Sequence, residues 1–306
     1  MDTTNTTNTT NTIKLYNKIY DKNIQKLDLS EKYIINICPE IGQLKNLREL
    51  YLDSNEITSI CPEIGQLQNL QRLSLGRNQI NNVCPEIGQL RNLQKLELIF
   101  NNILRFPPEI RQLQNLQILY LYGNKIIINP EIVQLRNLQE LCLSDNQITI
   151  VCSEIEQLQN LQELYLSINN VTLICPEIGQ LRNLRTLMLD TNKIINVFPE
   201  IKQLQNLQKL FLSNNQLTNV CPEIGELQNL RELYLNNNQI INVCPEIGKL
   251  KNMRILYLND NQITIIPTDI IQCNKLISIQ YHGNNIKYII PCVEQFLNKV
   301  KNTRVH

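Results

Sequence analysis

The stretch LRELYLNNNQIINVCPEIGKLKN, residues 230–252, decides the fold. Its apolar residues fall at positions 1, 4, 6, 11, 14, 18 and 21, which no single helical or strand period accounts for. Leu233 and Leu235, at positions 4 and 6, have the period of two that places side chains on one face of a strand. Pro245-Glu246-Ile247-Gly248 then changes the geometry. Proline suits a first helical position, glutamate favours a helix N-terminus and glycine discourages a long helix. The stretch reads as a short strand, a turn, and a return of about one turn of α or 3-10 helix.

The same pattern starts at Ile24, Leu47, Leu70, Leu93 and Leu116, and after one 22-residue repeat at Leu138, Leu161, Leu184, Leu207, Leu230, Met253 and Leu276. One such repeat cannot bury its leucines alone, so neighbours stack, with the strands forming a parallel sheet and the returns covering the other side. Position 9 is asparagine from Asn55 to Asn284 in every repeat but the first, where Lys32 stands. A buried amide needs partners for its donors and its acceptor, and the turns of stacked repeats supply them. The expected organisation is a disordered polar tail over 1–12, an N-terminal cap over 13–23, a solenoid of about twelve repeats over 24–290, and a capping helix and tail over 291–306. Ile13, Leu15, Tyr16, Ile19 and Tyr20 are expected to cover the first repeat; Val293, Phe296, Leu297 and Val300 have the spacing of an amphipathic helix over the last.

The 29 basic and 28 acidic side chains nearly cancel, which leaves no nucleic-acid footprint. The opening MDTTNTTNTTNT is low-complexity and polar rather than a secretory leader, and no apolar run approaches a membrane span. The expectation is a soluble, cytoplasmic monomer. Asn5-Thr6-Thr7 and Asn8-Thr9-Thr10 fit the glycosylation sequon, a match with little weight outside a secretory route.

The periodic L-x-x-L-x-L-x-x-N-x-L pattern, over about residues 24–290, resembles the leucine-rich repeat family. Pro-Glu-Ile-Gly-x-Leu is most similar to its 23-residue intracellular class, that of Ras-associated scaffolds and of many giant-virus and plant proteins. One departure is that the class usually has proline at position 15, where this chain mostly has cysteine and moves proline to 16. The resemblance implies an α/β solenoid, a horseshoe with a concave parallel β-sheet and convex short helical or 3-10 returns. It also implies a non-catalytic protein-interaction module or scaffold in signalling or host-factor binding, with small GTPases or their regulators as partners. The alternative is the substrate-recognition adaptor of a modifying enzyme such as a ubiquitin ligase, with catalysis in trans. Such adaptors usually carry a recruiting domain, and about 23 residues precede the array here.

Cys38, Cys61, Cys84, Cys152, Cys175, Cys221 and Cys244 share position 15, where other repeats hold Pro107, Phe198 and Pro267. A slot that accepts phenylalanine asks for apolar volume, so the thiols read as core filling inside the coil. A ladder offers a line of sulfurs rather than the converging ligands of a metal site, and no C-x-x-C spacing occurs. No cofactor is implied. His282 and His306 are the only histidines, and Cys142 lies six repeats from His282, too far for a dyad. No phosphate loop or H-E-x-x-H motif is present. Glu40, Glu63, Glu86, Glu177, Glu223 and Glu246 recur at position 17 as helix-start residues rather than acid–base pairs. No catalytic residue is expected.

A partner is expected on the concave strand face, where position 5 holds Tyr165, Met188, Phe211, Tyr234 and Tyr257 in five consecutive repeats. Aromatic side chains are enriched at binding hot spots, although cross-strand aromatics also pack merely on one another. Glu163, Asp190, Lys209, Glu232, Asn236 and Asp260 would form the polar rim. A second candidate patch holds Phe100, Tyr120 and Tyr122, with Ile99 and Ile118, beside the deletion before Asn129.

Overall fold

A computed structural model describes residues 11–127 and 130–302, apart from the side chains of 301 and 302. The anticipated tail up to residue 10, the deletion at Asn129 and the last four residues lie outside the described residues. Two compact units divide the chain, Met1–Leu116 and Gln117–His306.

The first unit opens with an antiparallel hairpin, β1 (Thr12–Leu15) and β2 (Lys18–Asp21). Tyr16 and Asn17 join them at φ of 44° and 68°, the left-handed pair that a two-residue hairpin turn requires. Strands β3 (Lys26–Asp28), β4 (Glu49–Tyr51), β5 (Arg72–Ser74) and β6 (Lys95–Glu97) then pair in parallel, with Leu27, Leu50, Leu73 and Leu96 in register.

The second unit contributes eight more parallel strands, with position 4 of each repeat again in register. They are β7 (Ile118–Tyr120), β8 (Glu140–Cys142), β10 (Glu163–Tyr165), β12 (Thr186–Met188), β13 (Lys209–Phe211), β14 (Glu232–Tyr234), β15 (Ile255–Tyr257) and β16 (Ser278–Gln280). A two-stranded parallel sheet of β9 (Ile150–Val151) and β11 (Leu173–Ile174) lies apart from them. Helix α1 (Pro291–Asn302) follows β16.

The leucines explain the stacking: Leu47, Leu50, Leu52, Leu230, Leu233 and Leu235 have no exposed surface. Each such side chain removed from water is worth about 1.5–3 kcal/mol against the entropy of ordering. The returns are 3-10 turns such as Pro62–Gln66 and Pro222–Glu226, with proline first and glutamate in the first turn. Where position 19 is glycine, as in Gly65, there is a reason the sequence hides: a Cβ there would lie 2.7 Å from the Glu86 carbonyl oxygen of the next return. Neighbouring returns touch backbone to backbone there.

Two asparagine ladders tie repeats together. Within the core, Asn78 donates to the carbonyls of Leu52 and Leu75, both at 3.0 Å, and accepts from the Ile57 amide at 3.0 Å. On the surface, the position-23 asparagines donate to the preceding repeat, as Asn92 does to the Gln68 carbonyl at 2.8 Å. Position 8 is left-handed in repeat after repeat, including Phe100 (φ 50°) and Ile168 (φ 54°).

Two expectations need correction. Of the seven position-15 cysteines only Cys84 and Cys175 are buried; Cys38, Cys61, Cys152, Cys221 and Cys244 are half-buried. The apolar slot is position 14, where Ile60, Val83 and Val220 are buried. The cysteines stand at the entrance to the 3-10 turns, and their carbonyls accept the first turn's amide, as from Ile64 to Cys61 at 3.1 Å. Ile19 does not cover the first repeat: Ile13 and Leu15 are buried, whereas Ile19 is 73% exposed. Tyr16 secures the hairpin through its hydroxyl, which donates to the Asn36 carbonyl and accepts from the Cys38 amide, each at 2.9 Å. At the other terminus, α1 buries Val293, Leu297 and Val300 and leaves Phe296 half-buried.

Candidate partner-binding face

Alternation along each strand sends position 4 into the core and positions 3 and 5 outward. In the second unit this brings Tyr165, Met188, Phe211, Tyr234 and Tyr257 into one register row. All five are half-buried. Phe211 and Tyr234 stack with ring centroids 4.4 Å apart and planes 8° apart, and Tyr234 meets Tyr257 edge-on at 5.0 Å. The rings bury their sides on one another and keep part of their surface open, a rigid amphipathic row.

The Tyr165 and Tyr234 hydroxyls are held by the glutamates at position 3 of their own strands. Tyr165 donates to Glu163, Tyr234 donates to Glu232 at 3.2 Å, and Lys209 lies 3.5 Å from Glu232. Burial, then the Glu232 charge, pushes the Tyr234 phenol up to about 12. Burial raises the Glu163 carboxyl, and Glu140 on the adjacent strand adds to it. The remaining rim groups are also engaged: Asp190 accepts from Ser167 at 2.7 Å, Asn236 from Ser213 at 2.7 Å, and Asp260 from Asn259 at 2.6 Å. Sequence reasoning missed the glutamate–tyrosine coupling, although Glu-Leu-Tyr recurs at 49–51, 163–165 and 232–234. It also missed Ile168, which is 45% exposed on left-handed backbone three residues beyond Tyr165.

The second sequence patch divides between the units. In the first, Phe100 is 39% exposed with the Arg77 guanidinium 5.1 Å above its ring. In the second, Tyr120 and Tyr122 are half-buried and the Tyr120 hydroxyl donates to Glu140. The first unit's strand face is otherwise one of paired charges: Lys26 lies 3.2 Å from Glu49, and Arg72 and Lys95 lie 3.4 and 3.1 Å from Glu97.

Cys142 sits on β8 and His282 just beyond β16, about 30 Å apart at strand spacing. Burial raises the Cys142 thiol, the reverse of what a nucleophile needs. Among the described residues no group of three or more His, Cys, Asp or Glu side chains is placed to hold a metal, and no helix is long and apolar enough to cross a membrane.

The family model described as "Leucine-rich repeat region" matches residues 22–126 and 131–240, and that for "Leucine Rich repeats (2 copies)" matches 228–271. The chain belongs to the leucine-rich repeat family. A leucine-rich repeat protein of Leptospira interrogans is 37% identical with a TM-score of 0.77, over 88% of this chain and 74% of that one. The functional domain of InlJ from Listeria monocytogenes, which includes a cysteine ladder, is 24% identical with a TM-score of 0.74, over 87% of this chain and 55% of its own; this likeness shows the fold alone. The plant peptide hormone receptor RGFR1 in complex with RGF2 is 26% identical with a TM-score of 0.61, over 81% of this chain and 49% of its own. No curated protein sequence matches. Leucine-rich repeat folds commonly mediate protein–protein interaction and are typically non-catalytic.

Proposed function

We propose that this leucine-rich repeat chain is a non-catalytic protein-binding module whose partner docks on the strand face of the second unit. The observation that carries the reading is the row from Tyr165 to Tyr257, five half-buried aromatic or methionine side chains at one strand position. The rings are already packed in place, so little side-chain entropy remains to be lost on binding. The RGFR1 complex supports the use of such a fold to hold a polypeptide. Phe100 in the first unit and Tyr120 and Tyr122 in the second are secondary contact candidates. Small GTPases and their regulators are the first partners to screen.

The test is affinity capture with the native chain and with a chain carrying serine at Tyr165, Phe211, Tyr234 and Tyr257, once circular dichroism shows both folded. Capture of a partner by the native chain alone supports the reading. Equal capture by both removes the row from the binding site.

A further inference from the structure

The hairpin that opens the first unit ends in an unusual surface. β1 packs on the first 3-10 turn through buried Ile13 and Leu15, which leaves β2 as the outer strand among the described residues. Its Ile19 is 73% exposed. The Lys22 amide donates to the Asn11 carbonyl at 2.9 Å, which fixes the alternation along the hairpin. Lys18 and Tyr20, like Lys22, turn their backbone groups toward β1; Ile19 and Asp21 turn theirs outward, although the Asp21 carbonyl also accepts from the Ile24 amide at 3.3 Å. An outward row of amides and carbonyls is a template for another strand.

We propose that this edge is a homodimer interface, in which β2 of one chain pairs antiparallel with β2 of a second copy about a twofold axis. Outward-facing residues pair only with outward-facing residues, which leaves few registers. Centring on Tyr20 sets Lys18 opposite Lys22 of the second copy, and centring on Asp21 sets two carboxylates face to face. Centring on Ile19 sets Ile19 against its own copy, Lys18 against Tyr20 and Asn17 against Asp21, and brings the Lys18 end of each strand to the Asp21 end of the other. In that register the edge carries its own complement, as an isologous contact requires. The near-zero net charge of +1 adds no long-range repulsion between copies. This dimer replaces the monomer expected from the sequence and is independent of the aromatic row.

Sedimentation equilibrium of the full chain tests it. The native protein is expected to show a concentration-dependent monomer–dimer equilibrium. Ile19→Lys places two ammonium groups on the axis and is expected to weaken association at least about tenfold. At concentrations low enough to keep both proteins monomeric its melting curve should match the native one, because Ile19 is exposed and its amide lies outside the hairpin ladder. In a Cys292→Ser background, Ile19→Cys should cross-link to its copy under mild oxidation, whereas Lys14→Cys, three strands from its copy, should not. A native chain that stays monomeric overturns the proposal, as does unchanged association in Ile19→Lys or a dimer that Ile19→Cys fails to link. A chain lacking residues 1–10 that dimerises when the full chain does not would assign the edge to that segment and also overturn it.

Discussion

The Cys175 thiol donates to the carbonyl oxygen of Cys152 at 3.1 Å, one repeat away. Cys84 makes the same contact with Cys61 at 3.6 Å, and Cys244 with Cys221 at 3.7 Å. These thiols are weak structural donors, and burial pushes Cys61, Cys84, Cys175, Cys221 and Cys244 up from 9.0 to about 11. A raised native value means the unfolded thiols ionise first, so the stabilisation is complete below pH 9 and is lost as pH rises toward about 11. The urea midpoint is expected to fall between about pH 9 and pH 11. With alanine at Cys84, Cys175 and Cys244 the fall should be shallower, though modestly, because Cys61 and Cys221 still titrate in the variant. Parallel curves for the two proteins would contradict the ladder's role.

The two asparagine columns predict unequal losses. Asn101 donates to the Leu75 and Leu98 carbonyls at 3.0 and 3.1 Å and accepts from the Ile80 amide at 2.9 Å, all in the core. Asn101→Ala orphans these groups at about 1–3 kcal/mol each, so urea unfolding should show a loss of at least about 3 kcal/mol. Asn92 makes one exposed bond, and Asn92→Ala should cost about 1 kcal/mol or less. Equal costs would mean that the inner column is not what couples the repeats.

Much of this architecture was legible because leucine spacing and the asparagine column carry period and partner requirement together. Leu50, Leu73 and Leu96 meet in register for the same reason that they recur. The cysteines misled because Phe198, which is buried, made the whole of position 15 look like core, whereas five of the seven cysteines there are half-buried. The structure places the core one residue earlier. Gly65 was read as a helix breaker, yet the constraint on it is the Glu86 carbonyl of the next repeat, a contact between residues far apart in sequence. The aromatic row was visible in the sequence, but its stacking angles and the glutamates that hold the Tyr165 and Tyr234 hydroxyls depend on side-chain geometry that spacing does not encode.

Ile168 is a β-branched residue at φ 54° with 45% of its surface exposed. Left-handed backbone costs such a residue roughly 1–2 kcal/mol, which asparagine largely avoids. Ile168→Asn should therefore raise the thermal midpoint, by an amount equivalent to about 1 kcal/mol. A lowered midpoint would show that Ile168 packs against its neighbours more than its exposure indicates.

An apolar cavity of about 40 Å³ lies in the second unit, lined by Ile126, Val133, Leu143, Ile148, Val151 and Leu166 among others. The space is partly open, so the buried-cavity cost of about 24 cal/mol per Å³ sets an upper bound of roughly 1 kcal/mol. Val151→Ile adds one methylene to its wall and is expected to recover part of that in a urea melt. Destabilisation would mean that the wall has no room to accept it.

Partner binding by the aromatic row of the second unit remains the proposal on which the function rests. It is tested most directly by titrating a captured partner calorimetrically against the native chain, Tyr234→Ser and Tyr51→Ser. Tyr234 stacks within the row, whereas Tyr51 shares position 5 but lies beneath Lys26 and Arg72 in the first unit. The account predicts an affinity loss of tenfold or more, about 1.4 kcal/mol, for Tyr234→Ser and an affinity within about twofold of native for Tyr51→Ser. Native affinity in Tyr234→Ser, or an equal loss in both variants, would contradict it.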